Sequence, residues 1–258
     1  MLYSKILMAL IMLGTIFVGA KPLIAQFVVN HSRLSDEQIT QVSFKPPAND
    51  RNPPKTVGAG SRQENQCTSS QDPSSPSLLP IAPINTYGLT VAAHPTFFVY
   101  IPKTSAKSVI LSIKDENLRY HSQAIFSITG SEGIVGFKPA QSTPPLEVGK
   151  NYQWAVVLLC GEKIGPNDPA VSSWVRRIDI PANIKNQSLP QTVLQKASWY
   201  GEQGIWYDML FSIAQAQYSQ PDKPKIKTIW SDLMTSTGFE AIATQPVSFQ
   251  PVSLTPKP

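Results

Sequence analysis

The sequence predicts an all-β plus α protein: a β-sandwich over residues 78–181, followed by a small C-terminal unit of about three helices over residues 187–245. Three observations predict it. Between 78 and 181, short runs of β-branched and aromatic residues are separated by turn residues at close intervals. From 187 onward the apolar residues recur at i, i+3, i+4 and i+7 instead. Outside these stretches Pro, Gly, Ser, Asn and Gln dominate and neither period holds.

The clearest strand is His94-Pro95-Thr96-Phe97-Phe98-Val99-Tyr100-Ile101-Pro102. Thr96, Phe98 and Tyr100 alternate with Phe97, Val99 and Ile101, so both faces are largely apolar, as in a central strand; a proline closes each end. Further strands are expected at 78–84, 89–92, 107–114, 118–128, 133–138, 151–160 and 171–180. In the run 109–114, Val109, Leu111 and Ile113 form one face and Ile110, Ser112 and Lys114 the other, which leaves one side wet. Asp115-Glu116-Asn117 is the turn that follows.

The helical part begins at Leu189, with Val193, Ala197 and Tyr200 on one face and Pro190 in the first turn. Gly201 and Gly204 bracket its stop. Trp206, Met209, Leu210, Ile213 and Ala214 form the stripe of the second helix. Ile226, Ile229, Trp230, Leu233 and Met234 repeat it after Pro221 and Pro224, and Gly238 caps the third helix.

Residues 26–77 are expected to be a disordered arm rich in Pro and Gly, and 246–258 a disordered Pro-rich tail; the chain has 24 prolines. At the N-terminus, Lys5 precedes an apolar run from Ile6 to Ala20, and small residues follow at Val18-Gly19-Ala20 and Leu23-Ile24-Ala25. Residues 1–25 therefore read as a secretory signal peptide. The alternative is an uncleaved membrane anchor, and membrane contact is expected only through this segment. Export predicts a periplasmic, envelope or secreted location. The two cysteines, Cys67 and Cys160, agree with it, since an even count in an oxidising compartment favours a disulfide. The alternative is two unpaired thiols.

The formal charge is +5, spread without a basic stripe, so nucleic acid is not an expected partner. No metal spacing, phosphate cradle or redox CxxC stands in the sequence, and no cofactor is expected. The chain has three histidines. His31 lies in the arm, His94 at a strand start and His121 within a strand, and structural roles are expected for the last two. Asp208, following two aromatics on a helix, either caps and bridges or lines a cleft.

Pro95-x-Phe97 opening a strand, then Leu146-x-x-Gly149-x-x-Tyr152-x-Trp154, resembles the immunoglobulin-like and fibronectin type III sandwiches. That resemblance implies a structural corner in which Leu146 and Gly149 shape the turn, the Tyr152 hydroxyl bonds back to it, and Trp154 points into the core. Gly204, Trp206, Ile213, Ala216 and Pro221 resemble the latter half of a tetratricopeptide repeat; a plain helical hairpin is the alternative.

A wider resemblance covers about residues 55–246. It is carried by Gly88-Leu89-Thr90, His94-Pro95-Thr96-Phe97-Phe98, Leu146-x-x-Gly149-x-x-Tyr152-x-Trp154, Trp174-Val175-x-Arg177 and Gly204-Ile205-Trp206-Tyr207-Asp208. In these the chain is similar to the cyanobacterial domain of unknown function 928, which implies an exported protein and supplies no activity.

The function expected from the sequence is a non-catalytic interaction module of the envelope or periplasm, with another envelope protein as partner. The alternative is a cell-wall or polysaccharide-binding module using outward Trp and Tyr. Helical spacing allows two of Trp199, Tyr200, Trp206 and Tyr207 on the core side and two at least partly outward; interdomain packing is their favoured role, and ligand binding, with Trp199, Trp206, Tyr207 and Asp208 as interaction residues, is the alternative. A less favoured alternative is a cryptic hydrolase working through Asp208 and His94.

Overall fold

Residues 97–101 are buried at every position, as a strand apolar on both faces requires. They form the centre of one of two sheets. The structure is a computed structural model that describes residues 38–47, 67–68, 76–180, 190 and 192–250. The strands are β1 (Leu79–Pro80), β2 (Gly88–Thr90), β3 (Phe97–Ile101), β4 (Ser108–Asp115), β5 (Tyr120–Ser127), β6 (Gly133–Phe137), β7 (Asn151–Leu159), β8 (Ala170–Arg177) and β9 (Val247–Gln250). One sheet has the order β1-β3-β6-β9 and the other β2-β8-β7-β4-β5. Both are mixed: β2 runs parallel to β8 and β9 parallel to β6, while the remaining pairs are antiparallel.

The apolar faces of the two sheets meet. Phe97 of β3 lies against Trp154 of β7 with ring centroids 4.9 Å apart, and Phe126 of β5 against Phe137 of β6 at 5.1 Å. On β7 the period-two pattern buries Tyr152, Trp154, Val156 and Leu158, with partly exposed residues between them. The expected strand positions between 78 and 180 are all occupied, most with shorter ends; β2 and β8 begin, and β4 ends, one residue outside the expected spans.

Three helices follow: α1 (Val193–Glu202), α2 (Trp206–Ser219) and α3 (Pro224–Ser236), then a 3-10 turn at Glu240–Ile242. α1 starts later than its sequence predicts, and Pro190 stands ahead of it. The reason is local: Thr192 and Gln195 form a reciprocal capping box, which satisfies two amide donors at that point. Pro224 occupies the first turn of α3, and Gly238, at φ +89°, ends it as expected.

Two expectations about the flanking segments are corrected. Residues 38–47, within the stretch expected to be a disordered arm, pack on the helices: Ile39 and Val42 are buried, and Phe44 meets the Trp206 ring edge-on at 4.8 Å. Lys45 N–H donates to the Gly201 carbonyl at 3.0 Å. A Cβ on Gly201 would lie 2.3 Å from the Ser43 carbonyl oxygen, so this glycine is what lets the segment approach the helix. Residues 247–250, expected to belong to a disordered tail, are β9 and pair with β6. In both places a few apolar residues suffice because a preformed surface is there to receive them. The other arm and tail residues, and the N-terminal 1–25, lie outside the described residues.

The helices do not form a domain apart. The described residues all belong to one compact unit, and one apolar cluster runs from Phe97 and Trp154 in the sheets to Met209, Ile213 and Leu233 in the helices. The Cys67–Cys160 disulfide is present, joining residues 93 apart in sequence. The Cys67 carbonyl also accepts from Thr104 Oγ1 (2.6 Å) and Ser105 N (2.8 Å), which fixes it beside the β3–β4 connection. Among the described residues, no helix is long and apolar enough to cross a membrane.

Candidate functional site

Three consecutive residues at the start of α2 reach three different parts of the molecule. Successive helical side chains are separated by about 100°, so Trp206, Tyr207 and Asp208 fan around the first turn. Trp206 Nε1 donates to the Ile81 carbonyl (3.0 Å), just beyond β1 of the four-stranded sheet. Tyr207 points to the five-stranded sheet. Its hydroxyl accepts from Trp154 Nε1 (2.6 Å) and donates to the Trp174 carbonyl (3.0 Å), so one phenol joins β7 to β8. Burial pushes that phenol well above its ordinary pKa and keeps it a neutral donor. Asp208 turns to the end of β2: its Oδ2 accepts from Thr90 Oγ1 (2.7 Å) and from Val91 N (3.1 Å).

The sequence of β2 is suited to this arrangement. A Cβ on Gly88 would stand 2.4 Å from Cε2 of Tyr207, so the bare backbone at Gly88 is the floor over which the ring passes. Thr90, two residues on and fully buried, supplies the hydroxyl for Asp208. Gly88-x-Thr90 and Trp206-Tyr207-Asp208 are thus the two halves of one clamp.

Trp206 and Tyr207 take the packing role and not the outward one. Trp206 and Tyr207 are each 1% exposed, so neither offers a stacking face to a glycan or a peptide. Trp199 is half-buried on α1, its ring edge-on to Tyr200 at 5.1 Å. Asp208 lines a cleft, the second of the roles expected for it.

Leu146, Gly149, Tyr152 and Trp154 surround the entry to β7. Leu146 is buried, its N–H donating to the Ala93 carbonyl (2.9 Å) and its carbonyl accepting from Arg177 Nη1 (2.5 Å). Gly149, at φ +83°, donates to the Arg177 carbonyl. The Tyr152 hydroxyl accepts from Glu147 N at 3.1 Å, reaching back five residues. Trp154 is fully buried between the sheets.

Beside the clamp lies a cleft of about 260 Å³, between α1, α2 and the segment that links β2 to β3. Asp208, His94, Thr96, Lys138, Lys196 and Tyr200 contribute to its wall. His94 and Asp208 therefore border one space, but each is engaged elsewhere: His94 Nε2 is 2.9 Å from the Thr143 carbonyl, and Asp208 Oδ2 is held by Thr90 and Val91. His121 likewise sits 3.1 Å from the Pro144 carbonyl. Among the described residues no cluster of His, Cys, Asp and Glu could hold a metal ion.

Asp208 keeps part of its surface open to the cleft, although protein encloses it on most sides. That enclosure raises its pKa to about 6; the bonds from Thr90 and Val91 and the charge of Lys138 oppose the rise without cancelling it. Burial also raises the Tyr200 phenol, with a smaller contribution from the charge of Asp208. Because the folded pKa of Asp208 lies above its unfolded value, the folded state holds the proton more tightly. The stability this confers is full below pH about 4 and is lost as pH rises through about 6. Asp208→Asn keeps an acceptor for Thr90 and removes the titration. The stability difference between variant and wild type is expected to move in the variant's favour by roughly 2–3 kcal/mol from pH 4 to pH 7. Urea melts at several pH values would measure it, and a difference independent of pH would contradict this role for burial.

Sequence reasoning missed Lys138 and Lys196 altogether, and gave Thr90 no role beyond the family pattern. Thr90 and Asp208 are separated by 118 residues, and no local spacing signals a contact of that kind.

No curated protein and no solved structure matches the chain. A family model does match it over residues 57–247, a span that contains the clamp, the corner and the disulfide. By that match the chain belongs to the family described as Domain of Unknown Function (DUF928).

Proposed function

We propose that this is an exported binding protein of the cell envelope or periplasm, built on an immunoglobulin-like sandwich with the helices as a fixed cap. The observation that carries the reading is the Cys67–Cys160 disulfide, since structural disulfides persist in oxidising compartments and are rare in the cytosol. The apolar run Ile6–Ala20 behind Lys5 supports the same address.

The strand order supports the immunoglobulin-like part. With β1, β3 and β6 as the first, second and fifth strands of such a sandwich, β4, β7 and β8 become the third, sixth and seventh. β5 then extends the second sheet as in variable-type domains, and β9 takes the edge beside the fifth strand. The Tyr152 hydroxyl on Glu147 N fits the tyrosine corner of that class. Binding rather than bond-breaking is favoured by where the polar groups are spent. His94 is directed to Thr143, Asp208 to Thr90 and Val91, and Tyr207 to Trp154 and Trp174.

Fractionation of the native host tests the address. The expected result is recovery in the periplasmic or envelope fraction with both cysteines resistant to alkylation until reduced. Recovery in the cytosol with two free thiols would sink the reading. In the exported fraction, in-cell cross-linking is expected to join the chain to an envelope protein with which it re-forms a complex when both are purified. Retention on isolated envelope polysaccharide instead would favour a glycan ligand.

A further inference from the structure

The cleft beside the clamp is lined by charges of both signs. Asp208 is its more enclosed charged group, partly accessible, with Oδ2 committed to Thr90 and Val91. Lys138, just past β6, and Lys196 on α1 also line it, both exposed. Among the described residues neither lysine has an ion-pair partner within 4.0 Å; Lys138 only overlies the Phe211 ring, 5.6 Å from its centroid. Aromatic and proline side chains, including Tyr200 and Pro95, complete the walls.

A volume of about 260 Å³ is at the small end for ligand sites, suited to one small polar molecule and too little for an oligosaccharide or a folded peptide. We propose that this cleft binds a small zwitterion of the amino-acid class, with its ammonium group on Asp208 and its carboxylate on Lys138 and Lys196. Charge complementarity selects this class. A simple anion drawn by the lysines would share the cleft with the carboxylate of Asp208. A simple cation drawn by Asp208 would share it with two ammonium groups. A neutral sugar would leave an enclosed carboxylate without the positive partner that most favours its charged form. A zwitterion complements both signs and makes a charge-assisted hydrogen bond with each. Of the other titratable groups on the wall, His94 Nε2 is 2.9 Å from the Thr143 carbonyl, the Tyr207 hydroxyl is held by Trp154 and Trp174, and burial raises the Tyr200 phenol. The inference rests on the cleft alone and is independent of any macromolecular partner.

The test is thermal-shift and calorimetric titration of the full exported chain with each of the free L-amino acids, singly, at about 5 mM, a concentration at which a millimolar ligand shifts the melt measurably. At least one is expected to raise the melting temperature. Its N-acetyl and its carboxamide derivatives are then expected to bind roughly tenfold or more weakly, because each has lost one charge-assisted contact. Asp208→Asn should abolish the preference for the free amine. Lys138→Gln combined with Lys196→Gln should abolish the preference for the free carboxylate, and because these two lysines are exposed this variant decides the matter even if Asp208→Asn folds poorly. No shift with any amino acid would overturn the proposal. So would equal affinity for the blocked derivatives, or equally strong binding of acetate or methylamine, which would make the cleft a simple ion site.

Discussion

Truncating Trp206 to alanine is expected to destabilise the protein by about 3–5 kcal/mol, among the largest effects of any single substitution in the chain. The indole is buried among Phe44, Phe239 and the sheet, and its Nε1–H is the partner of the Ile81 carbonyl. Removing it opens a cavity where three layers of chain meet: the 38–47 segment, α2 and β1. Tyr207→Phe separates shape from hydrogen bonding at the next position. It keeps the ring that crosses Gly88 but leaves Trp154 Nε1 and the Trp174 carbonyl without their partner, at an expected cost of about 2–4 kcal/mol. Trp199→Ala, of the same residue type on a half-buried surface, should cost much less. Chemical denaturation of the three variants measures the contrast. Equal effects at 199 and 206 would mean that the start of α2 has no special place in the fold.

Replacing Cys67 and Cys160 by serine is expected to cost about 4–5 kcal/mol on the chain-entropy model, because the bridge closes a loop of 93 residues. In a protein of this size that corresponds to a fall in melting temperature of roughly 8–20 °C. The bridge also ties residue 67, whose flanks carry little apolar surface, to the β3–β4 connection through Thr104 and Ser105. Reduction of the wild type should reproduce the double variant. A reduced chain that melts at the oxidised temperature would contradict the assigned role.

The parts of the fold that were legible in the sequence are those whose partners do not matter to the pattern. β3 announces itself through prolines at both ends and apolar residues on both faces, whatever strands lie beside it. β7 does so through strict alternation from Tyr152 to Leu158. The 38–47 segment and β9 were not legible. Each carries two or three apolar residues among polar ones, too few to declare a period, and each is ordered by a surface assembled from residues far along the chain.

Trp206 and Tyr207 show which of two readings of the aromatics the structure takes. Buried positions on α2 include Trp206, Tyr207, Met209, Leu210, Ile213 and Ala214, which cover most of the helix circumference and leave Asp208, Phe211 and Gln215 on one open stripe. Both aromatics fall within that wide buried face, so packing and not an outward stacking role is what their spacing supports. The cleft was less accessible to such reasoning. Its acid comes from α2 and the hydrogen-bond partners of that acid from β2. Its lysines come from α1 and the end of β6, four positions that only the tertiary fold brings together.

The clamp makes helices and sandwich one cooperative unit, and native-state amide hydrogen exchange tests that. The amides of Met209, Leu210 and Ile213 in α2 and those of Trp154, Val156 and Leu158 in β7 are expected to share the free energy of global unfolding. In Trp206→Ala both groups should lose protection by the same amount. Exchange of the α2 amides through a lower-energy opening, while the β7 amides keep full protection, would contradict it and make the helices a separable appendage.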